Sequence, residues 1–501
     1  MRSDWLLPGV VALVAVSGGG APARAQQAVI ELPVDLTTAY KGEEFLLIGN
    51  AVRGAGEPVI AINPKNPNNI IVGAMANLHY VEGAPLGTGT QRISVEARVK
   101  YRNTPGSSIS VFAISNDRGR TWRFMDDPLR ETFKMNGTAD AYVGVGADGT
   151  LFAGAMNFFP LNPTAEMLEQ EKEPDPGLLF GAIDLMWSRD EGKTWSAPVH
   201  VMGQATKDEE YGPGVKPVHR GKTPYDRPYL ETDLSTGTIY IPGNGTGGDP
   251  PHRETFLRAS RDNGKTWGSV YAYDSAEYPQ GGGASKPRAA HGVLGIAYVA
   301  SAIPAGAGSG KCPCLVFGAS RDEGKSFERH IVQYDYPVAR GFGGMGTPQV
   351  AADASRPGRF AIMTSVSAGT ELQVYQSDDY GKTWKGPVKA GSTPGATISK
   401  PDMAYSPRGE LALMWLAVNP DQTYTAWSAV SHDGGSKFSP SMQISHGASP
   451  ARASIKNRGN NWDGDDLSSL AVDSDYVHIV WADGRAGFLG AWYARVPLTS
   501  Y

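Results

Sequence analysis

The apolar residues of this chain gather in short hairpin-like runs, and each run is entered through a polar or charged residue. The entries read Glu57-Pro58-Val-Ile-Ala61, Asp140-Ala-Tyr-Val-Gly144, Arg227-Pro228-Tyr-Leu-Glu231 and Lys286-Pro287-Arg-Ala-Ala290. They continue as Thr347-Pro348-Gln-Val-Ala351, Lys400-Pro401-Asp-Met-Ala404 and Asp466-Leu-Ser-Ser-Leu470. Short runs bounded by turn residues predict β-strands. Pro at the head of an inner strand is tolerated where one edge lacks a ladder partner.

A second pattern, Ser-x-Asp-x-Gly-x-x-Trp/Phe, follows six of the seven hairpins. It begins at Ser115, Ser188, Ser260, Ser320, Ser377 and, in a weaker form, Ser431. Its physical content is a hairpin turn. The Asp carboxylate caps backbone N–H groups, Gly takes a positive-φ position and the aromatic plugs the sheet. Each unit therefore predicts four antiparallel strands, A to D, with this turn between C and D. The seventh unit carries Tyr476–Trp481 and Ala491–Arg495 but no such turn, so its outer strand must come from elsewhere. Ala28–Val34 is the expected donor, closing the ring at the last blade.

The six turns resemble Asp boxes (BNR repeats), and the chain from Glu57 to Arg495 resembles the sialidase-like Asp-box β-propellers. The resemblance implies an all-β propeller of four-stranded antiparallel blades. The hairpin count favours seven blades, with the six-bladed sialidase fold as the alternative. It also implies a sialidase-like glycoside hydrolase of the exo-sialidase type, acting on an acidic sugar. Two alternatives remain open: a polysaccharide lyase or other uronic-sugar glycosidase, and a non-catalytic glycan- or protein-binding propeller. Where the family's first blade opens with Arg-Ile-Pro, this chain has Gly56-Glu57-Pro58.

Composition narrows the picture. With 46 Lys+Arg against 51 Asp+Glu and a net charge of -5, the chain lacks the basic excess of a nucleic-acid binder. The expected partner is a carbohydrate substrate or glycan ligand. Residues 1–25 have a basic start, an apolar run from Trp5 to Val16 and Ala23-Arg24-Ala25. That is the layout of a signal peptide, and the run is too short to span a membrane. A secreted or periplasmic protein is expected, with 26–501 as one propeller domain. Thr164–Lys172 has helical composition. Two cysteines, Cys312 and Cys314, rule out a disulfide scaffold, and their redox state is left open.

Strand direction locates the candidate chemistry. The strand-A entries converge on the propeller axis, on the face opposite the Ser-x-Asp turns. Asp226 and Glu57 are the acid–base candidates, because both enter one funnel from separate blades. Tyr225 joins them by position. Arg227, Arg288 and Arg485 are candidates for gripping an anionic group through their planar forks, with Lys286, Lys400 and Asp466 completing the substrate-binding set. No organic cofactor or catalytic metal is expected; Asp463, Asp465 and Asp466 offer oxygen ligands for a structural calcium. His79, His219 and His291 are placed near the same face.

Overall fold

The computed structural model describes residues 30–32, 43–49, 54–77, 108–126, 135–160, 182–203, 212, 226–247, 252–308, 310–336, 348–366, 369–450 and 467–501. Residues 1–25, expected to be a signal peptide, and Thr164–Lys172 lie outside them.

Seven antiparallel sheets form a seven-bladed β-propeller. Blade 1 runs outward from the axis as Gly54–Ile62, Ile70–Asn77, Ser108–Ser115 and Trp122–Asp126. The same order repeats in the other blades. Their innermost strands begin at Met135, Glu231, Gln280, Gln349, Thr397 and Ser469. Neighbouring inner strands pack in turn around the ring until Ser469–Val472 meets Gly54–Ile62. Among the described residues the one helical element described in full is the 3₁₀ turn Leu498–Ser500.

The second strand of each blade is buried on both faces, which explains its unbroken apolar run. Val293–Ala300 is buried throughout, and only Val418 is part-exposed in Leu411–Val418. The core is accordingly divided into slabs between adjacent blades. Val72 and Trp122 of blade 1 pack with Val480 and Tyr493 of blade 7. Phe152 and Leu185 of blade 2 pack with Ile241 and Phe256 of blade 3.

The six Ser-x-Asp turns share a core in which Ser Oγ donates to the Asp carboxylate and accepts from the Gly N–H. In the first, Ser115 Oγ donates to Asp117 Oδ1 (2.8 Å) and accepts from Gly119 N (2.8 Å). Asp117 accepts from Thr121 N (2.8 Å) and Thr121 Oγ1 (2.6 Å), and Trp122 Nε1 donates to Gly119 O (3.1 Å). Gly119 has φ 85°, and a Cβ there would strike the Tyr493 ring. Arg118 N donates to Asn68 O (2.8 Å), so the turn lies beside the loop after the inner strand, on the face away from the strand-A entries. Side chains on this lower face latch blades together: Asn263 Nδ2 donates to Asp148 Oδ2 (2.8 Å), and Gly292 N to Asp233 Oδ2 (2.6 Å).

Ring closure differs from the sequence expectation. Ile30–Leu32 pairs antiparallel with Trp122–Phe124 and adds a fifth strand outside blade 1. Blade 7 takes its outer strand from Glu43–Ile48 instead, paired with Ala491–Arg495. The reason lies in partners that alternation cannot reveal. Arg495 Nη2 meets Glu43 Oε2 at 2.7 Å, and Phe45 packs on Tyr493 with centroids 5.3 Å apart. The seam is completed by a buried relay: Tyr493 Oη to His478 Nδ1 (2.7 Å), His478 Nε2 to Asp473 Oδ2 (3.0 Å), and Arg118 Nε of blade 1 to the same oxygen (2.8 Å). Cys312 and Cys314 form a disulfide across Pro313.

Candidate functional site

The innermost ladder is interrupted at the same place in blades 1, 2 and 6. Register shifts between Gly56 and Val59, between Ala139 and Tyr142, and between Ser399 and Asp402. The inserted residues are Glu57-Pro58, Asp140-Ala141 and Lys400-Pro401. Glu57, Asp140 and Lys400 have φ of 51°, 47° and 49°, and Arg227, at the equivalent place in blade 3, has φ 57°. A left-handed conformation costs a non-glycine residue about 1–3 kcal/mol. Four charged residues hold it at one register, where bulges re-aim side chains. Proline adds no penalty there, since the bulged position makes no ladder bond.

On one side of the axis three carboxyl groups meet. Asp140 is hydrogen-bonded to the side chains of Asp226 and Glu57, and its Oδ2 accepts from Arg227 N at 2.8 Å. Asp226 is fixed by paired backbone bonds with Asn244, 2.7 Å each way. Arg227 Nε lies 3.8 Å from Asp226 Oδ2. Burial, then the charge and hydrogen bond of Asp226, push the Asp140 carboxyl up to about 8, against the pull of the Arg227 amide and Glu57. Asp140 therefore keeps its proton at neutral pH, as a proton donor must.

On the other side, cations and carboxylates from three blades interlock. Lys286 Nζ donates to Asp402 Oδ2 (3.1 Å). Arg288 bridges Glu231 Oε2 (3.1 Å) and Asp402 Oδ1 (3.6 Å). Asp402, 1% exposed, also accepts from Ser469 Oγ (3.0 Å) and Met403 N (3.0 Å). Burial pushes the Lys286 ammonium below its ordinary range, with Asp402 pulling it back. Burial likewise works against the Arg288 charge, but Glu231 and Asp402 outweigh it and hold that group up. Glu231 is raised by burial, with Arg288 and the Ala289 amide opposing.

Of the residues selected from sequence, Glu57, Asp226, Arg227, Lys286 and Arg288 meet at the axis. Lys400 occupies the same bulge position in blade 6, buried, with its carbonyl accepting from Ser468 Oγ. Arg485 does not join them. Its fork grips Glu44 (2.6 and 2.8 Å) on the outermost strand of blade 7, its Nε meets Asp483 (2.9 Å), and it stacks over Trp492. It is a rim residue pointing away from the axis, because the strand that closes blade 7 supplies its partner. His291 is in the turn after the inner strand of blade 4, on the opposite face from that expected. Tyr225, Asp463, Asp465, Asp466, His79 and His219 lie outside the described residues.

Sequence reasoning did not assign roles to Asp140, Tyr229, Glu231 or Asp402. The signal was present as an offset. Tyr229, Arg288 and Asp402 each stand two residues after a strand-A entry residue, one step further into the blade. The site thus has two tiers, an entry ring and a ring beneath it.

The chain matches no family model and none of the curated proteins. Among solved structures it is similar to a protein of unknown function from Dyadobacter fermentans (15% identity, TM-score 0.47, 94% of this chain and 99% of that one). It is also similar to a Hadza microbial sialidase (14%, TM-score 0.43, 94% and 99%). A third is Trypanosoma rangeli sialidase in complex with sialic acid (13%, TM-score 0.45, 93% and 58%). At such identities a likeness extends no further than the fold.

Proposed function

We propose that the axial site belongs to an exported, sialidase-like glycoside hydrolase acting on an acidic sugar. The observation that carries this reading is the Asp140–Asp226–Glu57 cluster beside Arg227. One carboxyl is held protonated at neutral pH, and two others lie within its hydrogen-bond network. Glycoside hydrolysis requires a proton donor, and a carboxyl raised to about 8 supplies one. Asp140 takes the donor role, which sequence alone assigned to Asp226 and Glu57. Among the described residues Arg227, Lys286 and Arg288 bring three cations to the axis, where a sugar carboxylate would be attracted.

The test is turnover of fluorogenic sialosides and uronides by the native protein and by Asp140→Asn. Loss of about 100-fold or more in kcat, with folding intact, supports the assignment. Release of an unsaturated product favours the lyase alternative. Glycan binding without turnover favours the non-catalytic one. Full activity of Asp140→Asn rejects the donor. Export by residues 1–25 is checked by N-terminal sequencing of the mature protein, with Gln26 expected first.

A further inference from the structure

Tyr229 stands in the second tier, two residues after Arg227. Its ring lies beneath the Lys286 ammonium, 4.8 Å from the ring centroid. It belongs to the same buried cluster as Val59 of blade 1, Ala141 of blade 2 and Leu467 at the entry to blade 7. A side chain rooted in blade 3 therefore reaches the meeting point of four other blades and floors the axial cup. Tyr229 is 8% exposed, and among the described residues its hydroxyl has no hydrogen-bond partner. Buried phenols ordinarily find one. The groups acting on that hydroxyl are Arg227, Asp140, Asp402 and Glu57, from blades 3, 2, 6 and 1, which places it among the charged residues of the site.

We infer that Tyr229 is a substrate-binding residue, whose hydroxyl donates a hydrogen bond to an oxygen of the acidic sugar on the propeller axis. This rests on the acidic-sugar reading above and names a contact that reading does not contain. The hydroxyl acts as a donor and not as a nucleophile. Burial holds its proton well above the ordinary phenol range despite Arg227, and the carboxyls of Asp140, Asp402 and Glu57 disfavour a phenolate further. A ligand oxygen would satisfy a donor that the described residues leave unpaired.

The experiment is Tyr229→Phe, which removes the hydroxyl and keeps the ring. Isothermal titration calorimetry uses N-acetylneuraminic, glucuronic and galacturonic acids as probes, and urea unfolding is run alongside. The expected result is about a 10- to 100-fold loss of affinity for whichever acid the native protein binds, with an unfolding midpoint unchanged or raised. Unchanged affinity overturns the inference and leaves the hydrolase reading standing. A lowered midpoint overturns it too, because the hydroxyl would then have a partner within the fold. If the native protein binds none of the three acids, the acidic-sugar reading fails and this contact falls with it.

Discussion

Replacing Asp140 with Asn should make the protein more stable at alkaline pH and leave it nearly unchanged in acid. The carboxyl of Asp140 is raised from 3.8 to about 8 by burial and by Asp226. A raised carboxyl binds its proton more tightly in the folded state. Its favourable contribution is complete below about pH 4 and is lost as pH rises through about 8. Asn imitates the protonated form at every pH. At about 1.36 kcal/mol per pH unit, the interval from 3.8 to about 8 sets an upper limit of roughly 5–6 kcal/mol. Asp140 is hydrogen-bonded to Asp226 and Glu57 and neighbouring charges can rearrange when it ionises, so the expected gain is about 2–3 kcal/mol. Urea unfolding at a series of pH values between 5 and 9 reads it directly. The gap between variant and native protein should open with rising pH. A gap that stays flat would show that Asp140 is not the titrating group and would refute the proton-donor argument with it.

Other expectations test separate parts of the molecule. Asp402→Ala strands Lys286 and Arg288 beside each other without their shared carboxylate; a loss of about 3–5 kcal/mol in urea unfolding is expected, and no loss would mean these cations are solvated. Asp262→Ala removes the acceptor of Thr266 N (2.9 Å), Lys265 N (3.1 Å) and Thr266 Oγ1 (2.6 Å). It should cost about 1–3 kcal/mol, with activity per folded molecule unchanged, since this turn lies on the far face. His478 is buried between Tyr493 and Asp473, and burial pushes its imidazole below the ordinary range, with Arg118 and Arg495 adding to the effect and Asp473 opposing it. A depressed imidazole stabilises the fold above its unfolded value of 6.5 and loses that contribution as pH falls below it. His478→Gln should therefore flatten the acid side of the stability profile, and an unchanged slope would place the acid sensitivity elsewhere.

The blade count and the repeated turn were legible in the chain because both are local. A Ser-x-Asp-x-Gly turn satisfies its own hydrogen bonds within a few residues, as Ser115 to Trp122 does. An apolar run after a polar entry declares a buried second strand. The entry ring was legible too, since strand direction alone brings Glu57, Asp226, Arg227, Lys286 and Arg288 to the axis. Three things were decided only by tertiary structure. The closing strand is Glu43–Ile48 and not the segment around Ile30, because two apolar stretches of similar pattern compete for two open edges. Only the partners Arg495 and Tyr493 distinguish them. Arg485 was drawn off the axis by Glu44, a residue 441 positions away in the chain. Asp140, a plain acidic entry residue in sequence, acquired its protonated state from burial and from Asp226 on the next blade. Each of these depends on which charges and rings stand opposite one another across blades, and period and composition carry no record of that.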